Sequence, residues 1–167
     1  LEKDNALWVV SKTKIKINDL PLWNDEITIR TWPMGAEGVR CNRCYQIMKD
    51  DEVLINAISE WVIIDASSRT LRKVETTSYP NDIDWIKEKS IEERFRRFKD
   101  DFTVEDLIYK RLVRSGDIDV THHTNNVTYI TMLLDTFSVK ELEAKRWEDV
   151  EVSYLNESFE GETLSIY

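Results

Sequence analysis

Hydrophobic and polar residues alternate through the first third of the chain. Thr13, Ile15 and Ile17 interleave with Lys12, Lys14 and Lys16, which predicts a strand over residues 7–17. After a turn-bearing stretch at 19–25, Ile27, Ile29 and Thr31 alternate with Glu26, Thr28 and Arg30, a second strand that Pro33 and Gly35 are expected to stop. Two more follow, over 39–49 and over 53–65 with Trp61 inside it, and together the four read as an antiparallel meander with one polar face. The pattern then changes. Tyr79-Pro80-Asn81 breaks the chain, and Trp85, Ile86, Ile91, Phe95 and Phe98 are spaced among Lys and Arg, as in a linker with helical turns. A strand is expected over 107–114. Val127, Ile130, Leu133, Leu134 and Phe137 recur at helical spacing, predicting a helix over 126–144. Strands at 148–155 and 163–167 close the pattern.

The pattern repeats. Without gaps, Ile15, Ile17, Leu22, Asp25, Ile27 and Ile29 superpose on Val152, Tyr154, Phe159, Glu162, Leu164 and Ile166. The simplest account is an α+β protein made of two copies of one strand–helix–meander unit. Residues 1–66 hold a first copy of which only strands are visible, 67–104 link, and 105–167 hold a second copy without its last strands. Leu20 and Pro21 fall opposite Glu157 and Ser158, so a carboxylate stands in the second copy where the first has an apolar side chain. One active site per chain, built largely from the second copy, is expected.

Composition narrows the function. With 167 residues and 41% hydrophobic content the chain can bury a core. A net charge of -9 argues against nucleic acid as a partner. No apolar run reaches membrane-spanning length and no signal-peptide pattern is visible, which points to the cytoplasm and away from a membrane. Cys41 and Cys44 form a C-x-x-C, but on a strand they face opposite sides and there is no second pair, so they read as reduced structural thiols.

The candidate chemistry lies at 117–130, where Asp117, Asp119, Thr121, His122, His123, Asn125 and Asn126 precede the helix pattern. Asn125 or Asn126 suits an N-cap, and the free amides and positive dipole end of the helix could hold an oxyanion. His122 reads as structural or solvent-facing, and the carboxylates and histidines match no metal-ligand spacing.

This run resembles the motif of the acyl-ACP thioesterases, in which Asp-x-Asn-x-His is followed by a hydrophobic residue, Asn-Asn and an aromatic. Asp119, His123, Asn125, Asn126 and Tyr129 match it, whereas Thr121 stands where the family has Asn. Tyr154-Leu155-Asn156-Glu157-Ser158 is similar to the Tyr-x-x-Glu-Cys of plant members, with Ser158 in place of Cys. Trp32-Pro33, Trp61-Val62-Ile63-Ile64-Asp65 and Arg69 fit the family's first copy. The resemblance implies a tandem (double) hotdog, an antiparallel sheet wrapped around central helices, with parts of both repeats absent. It implies hydrolysis of fatty acyl-acyl carrier protein (acyl-ACP) to free fatty acid and ACP, without metal or cofactor. Glu157 would be the base, and Asp119 would orient the site or compete for the role of base. His123 would share a proton with Glu157, and Thr121 would be a weaker fourth participant. An acyl-CoA thioesterase and a catalytically weak acyl-binding protein are the alternatives. A thiolate nucleophile is impossible at Ser158, and attack by water is favoured over a covalent serine route. Arg94, Arg96, Arg97 and Lys99 are either a solvated face paired with Glu92, Glu93, Asp100 and Asp101 or a docking site for the acidic carrier. Pairing into a homodimer is compatible with this reading.

Overall fold

The computed structural model describes residues 4–80 and 83–167. Asn81, the last residue of the expected break, lies outside them. The chain divides into two compact units, one of residues 1–96 with 147–154 and one of 97–146 with 155–167.

The first unit is built on an antiparallel sheet. Its strands are β1 (Ala6–Ile17), β2 (Thr28–Glu37), β3 (Arg40–Lys49), β4 (Glu52–Asp65), the short β5 (Leu71–Arg72) and β7 (Asp149–Ser153). The order is β2-β3-β4-β1-β7, with β5 pairing the end of β4. Only β2, β3 and β4 therefore form a meander. β1 crosses to the far side of β4, with which it pairs along its length from Ala6↔Asp65 to Ile17↔Ile55. The strand positions follow the alternation, but Pro33 and Gly35 do not end β2. That strand is at the sheet edge, where a missing N–H is tolerated, and its register shifts between Pro33 and Ala36.

The expected helical turns of the linker are absent among the described residues of 83–102. Over residues 83–96 the segment runs instead as a strap across the sheet, because hydrogen bonds with the sheet replace those a helix would make. Trp32 Nε1 donates to Glu88 O at 2.9 Å and Lys14 Nζ to Arg94 O at 2.6 Å, while Ser90 Oγ donates to Ala57 O at 2.6 Å. Ile91 seals into a cluster with Trp32, Cys44 and Ile58, and burying a side chain of that size contributes about 1.5–3 kcal/mol. The strap also covers the row of β1 lysines that alternation placed on a polar face. Lys14 is 3% exposed and pairs at 3.1 Å with Glu151, its register partner on β7. A charge buried this deeply needs such a partner, and deleting either one would cost about 3–5 kcal/mol.

Both cysteines are free and buried. Cys44 packs in the core, and the Cys41 thiol, pushed up by burial, donates to Met34 O at 3.1 Å.

In the second unit β6 (Tyr109–Leu112) pairs antiparallel with β8 (Thr163–Ile166), and α1 spans Asn126–Leu134. The helix expected over 126–144 is two helices. Ser138 and Glu141 form a capping box that starts α2 (Val139–Ala144), and Thr136 Oγ1 donates to Leu133 O at 2.7 Å, closing the end of α1. A strong start signal inside an apolar-periodic run wins over the periodicity. On α1 the buried side chain is Met132, while Val127 and Leu133 are exposed at 64% and 46%. Tyr109 anchors the helix by donating to Met132 O at 2.6 Å.

Candidate active site

The site lies within the second unit and starts from a tight hairpin. Ile118 bridges Thr124, Asp119 N donates to His123 O at 2.9 Å, and Asn125 N donates to Asp117 O at 2.8 Å. The chain reverses through His122, whose φ of 64° is the left-handed turn conformation, and this places Asp119 opposite His123. His122 is exposed, as expected. Asp117 is held elsewhere. One of its oxygens takes Arg111 at 2.7 Å and the other the Arg114 amide at 2.9 Å, so it anchors the hairpin to β6.

Three expected site residues meet through Thr121. Its hydroxyl donates to Asp119 Oδ1 at 2.6 Å and lies 3.0 Å from His123 Nδ1, while its amide donates to the same carboxylate oxygen at 2.8 Å. The Asp119 carboxyl is held below its ordinary value, first by the Thr121 hydroxyl and then by the Thr121 and His123 amides. An ionised carboxylate only accepts, so the single hydroxyl proton of Thr121 is spent on Asp119. Thr121 Oγ1 must then accept from Nδ1–H of His123. That fixes the imidazole tautomer and leaves Nε2 directed at the fourth residue, Glu157, with Nε2 to Oε1 at 3.7 Å. Phe159 lies against the imidazole at 5.1 Å between ring centroids.

Asn125 is the N-cap of α1, its side chain accepting from Val127 N at 2.9 Å. The Thr128 amide is bound to Asn125 O. Two of the helix-start amides are thus already engaged. Asn126 opens the helix on an exposed face.

Thr124 was not singled out in the sequence, yet it is 4% exposed and bonded throughout. Its amide and hydroxyl donate to Ser158 O at 2.9 and 3.0 Å. Ser158 Oγ donates to Thr124 Oγ1 at 2.7 Å, and Tyr129 OH lies 2.7 Å from Ser158 Oγ. Since the Ser158 proton goes to Thr124, Tyr129 is the donor in the last pair. Ser158 Oγ is bonded to the hydroxyls of Thr124 and Tyr129, which makes it structural rather than nucleophilic. The only signal in the sequence was hydroxyl residues adjoining both His123 and Glu157.

The basic run is less free than its composition suggested. Arg96 pairs with Asp149 at 3.2 Å and approaches Glu151, and Glu93 pairs with Lys16. The acidic partner of Arg96 thus comes from β7, and not from Glu92, Glu93, Asp100 or Asp101. In the first unit Trp8, Trp61, Tyr79, Cys41 and Arg43 help line a cavity of about 240 Å³.

The hairpin thus brings a carboxylate, a hydroxyl and an imidazole together beside a glutamate, a set of groups that can move protons. Residues 1–80 match the acyl-ACP thioesterase N-terminal domain, and residues 102–167 match the acyl-ACP thioesterase C-terminal domain. The chain belongs to the acyl-ACP thioesterase family. It is 29% identical over 164 residues to the chloroplastic acyl-[acyl-carrier-protein] hydrolase FATB1 of Cuphea viscosissima, covering 93% of this chain and 38% of that protein. It is 31% identical over 163 residues to the chloroplastic palmitoyl-acyl carrier protein thioesterase of Cuphea hookeriana, covering 93% and 39%. The chain thus spans about two fifths of the length of these relatives. The acyl-ACP thioesterase of Bacteroides thetaiotaomicron superposes with a TM-score of 0.80 at 24% identity, over 99% of this chain and 66% of that one. The fold is that of this neighbour, the hotdog arrangement that the resemblance implied. No helix among the described residues is long and apolar enough to cross a membrane.

Proposed function

We propose that this chain hydrolyses the thioester of fatty acyl-ACP, releasing the fatty acid and ACP and so ending fatty acid biosynthesis. The observation that carries the reading is the continuous line Asp119–Thr121–His123–Glu157, which supplies a carboxylate base beside an oriented imidazole. In this mechanism Glu157 takes a proton from water as the water oxygen bonds to the thioester carbonyl. The tetrahedral oxyanion collapses, the C–S bond breaks, and the proton passes by way of His123 Nε2 to the departing sulfur. Asp119 and Thr121 keep Nδ1 protonated, so that Nε2 can accept and release. The proposal places the oxyanion at the start of α1, by Asn125 and Asn126, where the Val127 and Thr128 amides would have to exchange their bonds to Asn125 for it.

Carrier docking at Arg94, Arg97 and Lys99, with Arg96 partly committed to Asp149, belongs to the same proposal, as do a cytoplasmic setting and a homodimer. The plant relatives carry the description chloroplastic.

The test is thiol release from a ladder of acyl-ACP substrates, with matched acyl-CoAs alongside. We expect release that prefers the carrier-bound substrates and that falls by about a hundredfold or more in Glu157→Gln. Equal or better turnover of the CoA esters would make this an acyl-CoA thioesterase. Folded protein that retains acyl chains and releases no thiol would make it an acyl-binding protein, with Thr121 the residue to examine.

A further inference from the structure

We propose that Thr124, Ser158 and Tyr129 are positioning residues, a hydroxyl circuit that sets Glu157 against His123. The inference rests on the hydrolase reading above and adds three side chains to it. His123 and Glu157 are 34 residues apart in sequence, and no strand ladder joins their segments. What joins them is the pair of residues immediately following each. Thr124 gives Ser158 O two hydrogen bonds, at 2.9 Å from its amide and 3.0 Å from its hydroxyl, and accepts one from Ser158 Oγ at 2.7 Å. Tyr129, one turn into α1, closes the circuit at 2.7 Å on Ser158 Oγ.

Each proton in the circuit has one destination. Tyr129 donates to Ser158, Ser158 to Thr124, and Thr124 to the Ser158 carbonyl, so every hydroxyl donor is used and the direction is set. Thr124 and Ser158 are 4% and 5% exposed, where water does not compete for these bonds. His123 and Glu157 themselves are partly exposed, with side chains at 26% and 31%. The buried circuit thus supplies the rigidity that two half-exposed side chains lack. Because it holds the backbone at both neighbours, releasing it lets the gap between His123 and Glu157 open, and a displacement of about 1 Å costs up to about a hundredfold in rate.

Thr124→Val keeps the size and the amide bond but loses the hydroxyl. Its kcat is expected to fall about thirtyfold with KM within about twofold, while Tyr129→Phe loses about fivefold. Thr124→Ser recovers most of what Thr124→Val loses. In a Glu157→Gln background Thr124→Val adds no further loss, since the circuit acts through Glu157. The circuit is overturned by unchanged kcat in folded Thr124→Val, by failure of Thr124→Ser to recover turnover, or by full additivity with Glu157→Gln.

A readout without substrate separates this inference from the hydrolase reading. The chain has two histidines, so the imidazole nitrogen resonances of His123 can be followed with exposed His122 as internal control. Glu157→Gln is expected to shift the His123 signals, and in Thr124→Val that response shrinks. An unaltered response removes the circuit even if wild-type protein hydrolyses every substrate. A shrunken response in protein that hydrolyses none keeps the circuit and removes the reaction.

Discussion

The turn at 19–25 and the turn at 156–162 are the same device with different cargo. In the first, Leu22 N donates to the Asp25 carboxylate at 2.7 Å and Asp25 N to Leu22 O at 3.1 Å. In the second, Phe159 N donates to the Glu162 carboxylate at 3.0 Å and Glu162 N to Phe159 O at 3.2 Å. Each has a left-handed residue just before its acidic one, Asn24 at φ 71° and Gly161 at φ 88°. The repeat read from apolar spacing is therefore also a repeat of hydrogen bonding. The copies part at two positions. Leu20 and Pro21 are apolar, and the first turn leaves Leu20, Leu22 and Trp23 exposed at 58%, 74% and 92%. Glu157 stands beside His123, and Ser158 is buried in hydroxyl bonds. The turn is the shared scaffold, and the difference is the two residues placed on it.

The largest test of that comparison sets the two copies side by side. Glu157→Gln should lower kcat by about a hundredfold or more, and Leu20→Gln, at the equivalent position, by less than about twofold. Thiol release by both variants, with circular dichroism to show folding, decides it. A comparable loss in Leu20→Gln would mean that the first turn also serves the reaction. The next test sharpens the scaffold half. A Cβ on Gly161 would meet nothing within 4 Å, so Gly161→Ala costs only backbone strain, about 1 kcal/mol. Asn24→Gly, which relaxes the same conformation, should change stability by no more than about 0.5 kcal/mol. Urea midpoints at constant m-value give both numbers, and equal losses would show that the turns are wired alike but not strained alike.

Much of this was legible in the sequence, and what was not has physical reasons. Alternation placed β1 to β4 because a strand needs no partner to show its two faces. It did not reveal which strand lies beside which, and β1 pairs β4 rather than β2. Nor could it tell a polar face from a covered one. Lys12, Lys14 and Lys16 alternate correctly, yet Lys14 is buried because a strap from the linker lies over it and Glu151 faces it. The strap read as helical because its apolar spacing is real. Its bonds to Trp32, Lys14 and Ala57 come from contacts distant in sequence. Asp119, Thr121, His123 and Glu157 were nominated from the motif and do come together. Thr124 was overlooked because a hydroxyl says little until its partner, Ser158, is known.

The smallest effect concerns acid. The Asp119 carboxyl lies below its ordinary value of 3.8, and the first cause is the Thr121 hydroxyl. A depressed carboxylate contributes stability that is fully present above the unfolded value and is lost as pH falls through the lower folded one. Thr121→Val removes the first cause, so Asp119 takes up its proton at a higher pH than in the wild type. The stability gap between wild type and variant is then complete above about pH 5 and narrows progressively below it. The acid edge of turnover moves the same way, towards higher pH in Thr121→Val, while Thr121→Ser keeps the wild-type edge. Urea midpoints and kcat measured from neutral pH down to the onset of acid unfolding check both. The first copy makes the control, because Asp25 is also depressed but first by its hydrogen bond with Lys49. An acid edge that stays in place in Thr121→Val would detach the Asp119 proton from Thr121. The hydroxyl that replaces the family's amide would then act on His123 alone.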